Sequence, residues 1–165
     1  MPSAILTNLG KSLIRTAAGD GSQVAITQVA LGSGLGANYV PLKTQIALRS
    51  EFARRPIDRR SALGEDSWRS VCEFPPNTPG QMIREMGFLN HAGQLIAIWA
   101  GLDIDPRQAG VITYIVDFIL NFNDVDAGLV IVEAPDDELF DFALVMLWNQ
   151  AVVHKSIFDL RENQK

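Results

Sequence analysis

The sequence predicts an α+β fold, mainly an antiparallel β-sheet or sandwich, with a short N-terminal helix and a long C-terminal helix. Short segments of alternating or continuous apolar residues recur between Val24 and Val132, and turn residues separate them. One short segment before these strands has apolar residues at helical spacing. A longer segment after Pro135, rich in apolar residues, is also predicted to be helical. We therefore predict one globular unit, residues 1–135, and a terminal helical appendage, residues 136–165.

The composition limits the class of protein. The chain has 165 residues, 47% of them hydrophobic, which suffices for one domain with a real core and excludes a disordered chain. Its net charge of -5 argues against nucleic acid as a partner. The single cysteine, Cys72, cannot form an internal disulfide, so we expect synthesis and folding in a reducing cytoplasm. No membrane span is expected, because the longest apolar run, Phe142 to Trp148, is too short.

The N-terminal part begins with a helix and continues into a strand. Thr7 or Asn8 can cap the helix, and Gly19 can end it. Val24 to Leu31 then alternates apolar and polar residues, as a half-buried strand does, and runs into the glycine-rich turn 32–36. We expect the helix to cover the sheet.

The next segments read as a helical turn followed by two strands. Thr44 to Leu48 is predicted as the helical turn, Glu51 to Arg60 as a strand interrupted by Pro56, and Trp68 to Phe74 as a second strand. Four basic residues cluster around Pro56 and indicate either an anion site or solvated charges that protect a sheet edge. These are Arg54, Arg55, Arg59 and Arg60.

The clearest hairpin lies between Met82 and Gly101. Its strands are predicted to be separated by the loop Asn90 to Gly93, which has the residues that a tight connection requires. Arg84 and Glu85 are adjacent in this otherwise apolar stretch, so in a strand they point to opposite faces and each needs a partner elsewhere. We expect both to be structural, fixed by buried ionic or hydrogen-bonded contacts or placed at the rim of a subunit interface.

Two further strands are predicted before the terminal helix. The first, from Gly110 to about Phe122 after a turn at residues 103–106, carries apolar side chains on both faces and is expected to be central and covered on both sides. Leu129 to Val132 is expected to close the sheet. Asn123 to Gly128 is interpreted as a turn with Asx hydrogen bonds rather than a calcium loop, because calcium ligands do not recur at alternate positions.

The segment after Pro135 is predicted to be one long helix that ends near Arg161. Asp136, Asp137 and Glu138 suit its N-terminus, where negative charge meets unpaired N–H groups. Its section from Phe140 to Val153 is apolar nearly all round, so a small domain cannot cover it within one subunit. We predict that it packs against copies of itself or against another protein. The predicted interface residues on it are Phe142, Leu144, Met146, Trp148 and Val152.

The sequence predicts no enzyme, no cofactor and no metal site. The glycines at 32–36 lack the spacing and the following helix of a dinucleotide loop, and Gly10 to Ser12 lacks the strand that a phosphate-binding loop follows. His91, His154 and Cys72 show no metal-ligand spacing. No nucleophile, base and oxyanion arrangement can be assembled from these motifs.

The hairpin also contains a recognisable pattern, formed by Ile83, Arg84, Glu85, Gly87, Phe88, Gly93, Leu95, Ile96 and Ala97. This pattern resembles the signature of the N-terminal, baseplate-attaching domain of contractile-phage tail fibres, the tail-collar fibre family. Three further segments are similar to this family in the same order, namely residues 26–34, 45–57 and 116–132, so that the resemblance spans roughly residues 5 to 135.

The resemblance implies a structural virion protein. It implies a homotrimer that holds a fibre on the phage tail, with baseplate wedge proteins and a separate distal fibre protein as partners, assembled in the host cytoplasm. Longer family members continue into a shaft and a receptor-binding tip. Because this sequence ends at Lys165, we expect a fibre adaptor or a reduced short fibre.

Two other classes remain open from the sequence. One is a carbohydrate-binding or sugar-cleaving virion protein used in host recognition, and the other is a non-viral oligomeric scaffold. An exposed groove flanked by Trp68 or Trp99 would favour sugar binding. Burial of both side chains would favour a scaffold.

Overall fold

The fold is α+β with mainly antiparallel sheets, as predicted. A computed structural model describes residues 4–64, 67–102, 106–122 and 128–162, although not the side chains of residues 154 and 156–162. The chain divides into two compact units, Met1–Pro135 and Asp136–Lys165. We call the first the sheet unit. The roles assigned to the two regions from the sequence stay predictions.

The described residues form twelve strands, two helices and one short 3₁₀ turn, Gly34–Gly36. The first half contains β1 Ile5–Leu6, α1 Asn8–Asp20, β2 Val24–Ile26, β3 Gln28–Gly32, β4 Glu51–Pro56 and β5 Arg59–Ala62. The second half contains β6 Ser67–Phe74, β7 Met82–Ile83, β8 Glu85–Leu89, β9 Leu95–Ala100, β10 Arg107–Gln108, β11 Tyr114–Asn121, β12 Val130–Val132 and α2 Glu138–Glu162.

Two sheets organise the sheet unit. The larger has the order β1-β9-β8-β3-β4 and the smaller the order β11-β6-β5, and all their pairings are antiparallel. Buried side chains from both sheets form one core, in which Phe88 and Phe118 bring their ring centroids within 5.0 Å. Two short pairs complete the unit, β10 with β7 and the parallel pair β12 with β2.

Helix α1 is fixed to the larger sheet at its first turn. The Thr7 hydroxyl accepts from the Gly10 N–H at 2.9 Å, which confirms the predicted cap, and donates to the Leu95 carbonyl at 2.7 Å. A Cβ atom at Gly10 would lie 2.3 Å from the Ile96 carbonyl oxygen, so only glycine permits this approach. The helix ends at Gly21, with φ 74°, rather than at the predicted Gly19, because Gly21 adopts the left-handed cap conformation.

Besides the end of α1, three sequence predictions need correction. Residues 44–48 form turns and bends rather than a helical turn. The predicted strand Val24 to Leu31 is split at Thr27, because β2 pairs with β12 whereas β3 joins the larger sheet. The predicted turns at residues 103–106 and 123–128 lie mostly outside the described residues, which omit 103–105 and 123–127.

The third correction concerns β11, which is not a central strand. In the described residues it pairs only with β6, at the edge of the smaller sheet. One face of β11 is buried through Val116 and Leu120, but Ile115 and Ile119 on the other face are exposed. Both faces of β11 carry apolar side chains, but only one of them is covered by the rest of the described structure.

Candidate functional site

Glu85, in the central part of the larger sheet, is a fully buried carboxylate with 0% exposure. Its Oε1 accepts hydrogen bonds from the backbone N–H groups of Gly34 at 3.1 Å and Ser50 at 2.8 Å. Its Oε2 accepts from the Arg49 N–H at 3.0 Å and from the Tyr39 hydroxyl. No ion pair with Glu85 occurs among the described residues. The carboxylate is instead stabilised by hydrogen bonds from three backbone N–H groups and one hydroxyl group. These four bonds fix residues 33–50, which we call the pinned loop, onto the sheet.

The glycine-rich turn provides the space for this carboxylate. Gly32 of β3 lies opposite Glu85 of β8, and a Cβ atom at Gly32 would lie 2.4 Å from the Glu85 Oε1 atom. Gly34 and Gly36 adopt positive φ angles of 60° and 84°, which glycine accepts without strain. The turn that superficially suggests nucleotide binding is therefore the turn that encloses Glu85.

Tyr39 connects Glu85 to the rest of the pinned loop. Its hydroxyl donates to Glu85 and accepts from Gln45 Nε2 at 3.2 Å, and the Gln45 Oε1 atom accepts from the Leu42 N–H at 2.8 Å. The Arg49 guanidinium lies 3.5 Å from the centre of the Tyr39 ring. Burial, reinforced by the bond to Glu85, raises the pKa of Tyr39, so the phenol remains protonated and able to donate.

Arg84 differs sharply from its neighbour. It lies between β7 and β8, its backbone N–H donates to the Gly32 carbonyl at 2.9 Å, and its side chain is half-buried. Its guanidinium forms no hydrogen bond or ion pair with the part of the chain that the structure describes. The structure therefore supplies the hydrogen-bonded contacts expected of Glu85 but no buried ion pair for Arg84. A place for either residue at a subunit interface stays a prediction.

The terminal helix α2 exposes its apolar side chains. The Asp137 Oδ1 atom accepts from the Phe140 N–H at 3.4 Å, and Glu138 and Asp141 lie in the first turn, as the acidic start predicted. Trp148 is the most exposed of the predicted interface residues, at 73%. The five predicted interface residues, Phe142, Leu144, Met146, Trp148 and Val152, are all exposed. No helix in the described residues is long and apolar enough to cross a membrane.

Comparison with known proteins identifies the family. The family described as phage tail-collar fibre protein, N-terminal, matches residues 1–106, which include the hairpin and the pinned loop. This chain belongs to that family. It is also similar to a probable tail fiber protein of Escherichia phage P2, at 32% identity over 97 residues. That alignment covers 57% of this chain but only 14% of the phage P2 protein. No solved structure matches the chain.

Membership assigns the chain to the structural proteins of phage tail fibres, and hence to the virion tail. The hairpin resemblance noted in the sequence is thus confirmed. The match also places Glu85 and its four hydrogen-bond donors within the domain that the family shares.

The basic cluster of this tail fibre domain is divided among local contacts. Arg54 binds both carboxylate oxygens of Glu51 at 2.8 Å, and Arg59 pairs with Glu73 at 2.9 Å. Arg60 donates to the Val132 carbonyl at 2.6 Å. Because most of these cations are directed at different neighbours, the cluster does not converge on one anion site. Local contacts on two edge strands, β4 and β5, therefore describe Arg54, Arg59 and Arg60.

The remaining candidates lie apart in the tail fibre domain. His91 is exposed in the hairpin turn, and Cys72 is buried in the core, where burial raises the pKa of its thiol to about 12. The His154 side chain lies outside the described residues. The described residues include no group of three potential metal ligands. An open groove between α1 and the hairpin loop is lined by polar residues and by apolar ones such as Leu13 and Val24, without a carboxylate.

The two tryptophans named for sugar binding are both half-buried against the core. Trp68 donates its indole N–H to the Val130 carbonyl at 3.2 Å, and the Trp99 ring contacts Phe118 with centroids 5.9 Å apart. Packing thus occupies both rings.

Sequence reasoning found Glu85 but missed its partners. Gly34, Tyr39, Arg49 and Ser50 follow no spacing that points to a carboxylate, and three of the four bonds use backbone N–H groups. The only available signal was a glutamate inside an otherwise apolar strand.

Proposed function

We propose that this chain forms a homotrimeric tail fibre or fibre adaptor that is attached to the baseplate of a contractile phage tail. The observation that carries the proposal is the order of its parts. A family domain that holds the buried Glu85 carboxylate with its own donors is followed by a helix that lies beyond the matched residues and exposes its apolar side chains. The domain attaches to baseplate wedge proteins, and the helix joins the copies and receives a distal fibre protein.

The trimer is proposed because of the apolar character of α2. At about 25 cal/mol per Å² of apolar surface, leaving several such side chains in water forgoes several kcal/mol per subunit. Three helices around one axis would cover a wide apolar surface and suit the symmetry implied by the fibre resemblance. A trimer is therefore the simplest way to bury the residues between Phe142 and Val152.

Two measurements test this function. Mass determination of the full chain in solution is expected to give a trimer at micromolar concentration. Electron microscopy of tails assembled without this protein, then mixed with the purified chain carrying an N-terminal gold label, should show label at the baseplate. A monomer without label on the tails would contradict the proposal.

The carbohydrate-binding alternative is not favoured. Its predicted mark was an open groove flanked by Trp68 or Trp99, and both rings instead pack against the core. We infer that protein–protein contacts, rather than sugar contacts or hydrolysis, are the function of this domain.

A further inference from the structure

We propose that the pinned loop, residues 33–50, is the docking surface for an acidic, apolar segment of the tail protein to which this chain attaches. The proposal deepens the proposed attachment and rests on it. The reasons are the exposure, the rigidity, the backbone strain and the charge of this loop.

The pinned loop exposes large apolar side chains that do not serve the core. Leu35 is 74% exposed and Ile46 is 73% exposed. Val40 and Leu42, between them in the sequence, are also mostly exposed. Single exposed apolar residues are ordinary, but four on one 18-residue loop are typical of a surface that binds another protein.

The loop is rigid although it has little regular structure. Glu85 holds it at Gly34, Arg49 and Ser50, and the Ser33 N–H donates to the Ser50 carbonyl at 2.8 Å, which closes its ends. Tyr39 and Gln45 join its middle. Because the backbone is fixed before binding, ordering it in a complex costs little conformational entropy.

Leu35, the most exposed of these four apolar residues, also adds backbone strain. Its φ of 57° and ψ of 31° place a residue with a branched side chain in the left-handed region, between Gly34 and Gly36. Glycine would adopt this conformation without strain, and the exposed leucine contributes no burial in return. Such strain is commonly found at functional positions, and here it directs an apolar side chain into solvent.

The charge of the surface defines the partner. Residues 33–50 contain Lys43 and Arg49 but no aspartate or glutamate, in a chain of net charge -5. Arg84 lies beside them, because a Cβ atom at Gly34 would be 3.3 Å from the Arg84 Cβ atom. Within the described residues the Arg84 guanidinium has no partner, and both oxygens of Glu85 are occupied. A carboxylate from the partner, flanked by apolar side chains, fits this surface.

The test measures binding to tails assembled in cells that carry a nonsense codon in the gene for this chain. Purified full-length protein is mixed with these tails, and the bound fraction is measured by sedimentation. We expect Arg84→Glu and the double variant Leu42→Asp with Ile46→Asp to weaken binding at least about tenfold. The matched control is Ile115→Asp with Ile119→Asp, which charges exposed isoleucines on β11 and should change binding less than about twofold.

Leu35→Gly separates docking from folding. This change removes the exposed side chain and relieves the strained backbone, so the melting temperature should stay constant or rise. Binding to tails should nevertheless fall by at least about threefold. Raising the salt concentration should weaken the binding of the unaltered chain and leave Arg84→Glu binding nearly unchanged.

The outcomes distinguish the two proposals. If the unaltered chain binds tails and all loop variants bind equally well, the proposal that the pinned loop is the docking surface is wrong. The proposal that the chain attaches to the tail is then still supported. If the loop variants instead alter the oligomeric mass, the loop is an interface between copies of this chain and the proposed partner is wrong. If the unaltered chain does not bind tails at all, the attachment fails and the docking surface fails with it.

Discussion

The sheet unit buries a charged side chain, whereas helix α2 exposes apolar ones. The sheet unit buries a carboxylate, Glu85, and gives each oxygen two donors from its own chain. Helix α2 carries the most apolar stretch of the sequence and leaves side chains such as Trp148 exposed. The first region meets the needs of Glu85 within its own chain, whereas the second leaves its apolar side chains uncovered. Stability should therefore depend on Glu85, and assembly on α2.

The largest effect is expected from charging α2. Leu144→Asp combined with Trp148→Asp should convert the proposed trimer into monomers, because two charges per helix cannot be buried together at an apolar interface. Light scattering of the full chain would measure the change. The sheet unit should keep its circular dichroism spectrum and its unfolding transition. A soluble trimer with both substitutions would show that α2 does not drive assembly, and its apolar surface would then belong to another partner.

The next largest effect should follow removal of the buried carboxylate. Glu85→Ala leaves three backbone N–H groups and the Tyr39 hydroxyl without acceptors, and should lower the free energy of unfolding by about 3 to 5 kcal/mol. Urea denaturation measures this loss. The control is Glu133→Ala at an exposed position, which should change it by less than about 0.5 kcal/mol. If Glu85→Ala and Glu133→Ala lowered the free energy of unfolding equally, the hydrogen bonds of Glu85 would not stabilise the sheet unit as proposed.

Helix α1 offers a sharper test of packing within the sheet unit. Gly10→Ala should cost about 1 to 3 kcal/mol, since the new methyl group meets the Ile96 carbonyl at 2.3 Å. Gly19→Ala, in the same helix with no atom within 4 Å, should gain about 0.5 to 1 kcal/mol from helix propensity. Thermal unfolding should show opposite signs. Stabilisation by both changes would mean that α1 does not approach β9 this closely.

The smallest effect concerns alkaline pH. Burial raises the pKa of Cys72 from 9.0 to about 12, so the unfolded chain releases this proton first. The contribution to stability is complete below pH 9 and is lost as pH rises from 9 towards 12. At one unit above the unfolded pKa the loss is about 1 kcal/mol. Denaturation curves at pH 8 and pH 10 measure it, and Cys72→Ala should reduce the difference. If Cys72→Ala lost as much stability between pH 8 and pH 10 as the unaltered chain, groups other than Cys72 would cause the loss.

Features encoded by local chemistry were predictable from the sequence. The Thr7 cap, the hairpin around Asn90 to Gly93 and the acidic start of α2 each depend on residues within a few positions of one another. The family resemblance also followed from short segments in a fixed order. These signals persist because backbone conformation is largely decided by near neighbours.

Features that depend on distant residues were not predictable. Tyr39 and Glu85 meet only after β3 and β8 pair. Backbone donors such as the Ser50 N–H cannot be recognised in a sequence, because almost every residue type has one. The exposed face of β11 was missed for a related reason. Ile115 and Ile119 have the same side chains that a covered face would have, so the sequence does not reveal whether another layer lies above them.

The parallel pairing of β12 with β2 sets the order of events during synthesis. Val130 pairs with Val24, so almost the whole sheet unit must be made before its last strand can join one of its first. Helix α2 follows directly in the sequence and leaves the ribosome after β12. Translation from the N-terminus therefore makes the exposed apolar helix only after every strand of the sheet unit has been made. The proposed contact between copies through α2 thus comes last in the order of synthesis.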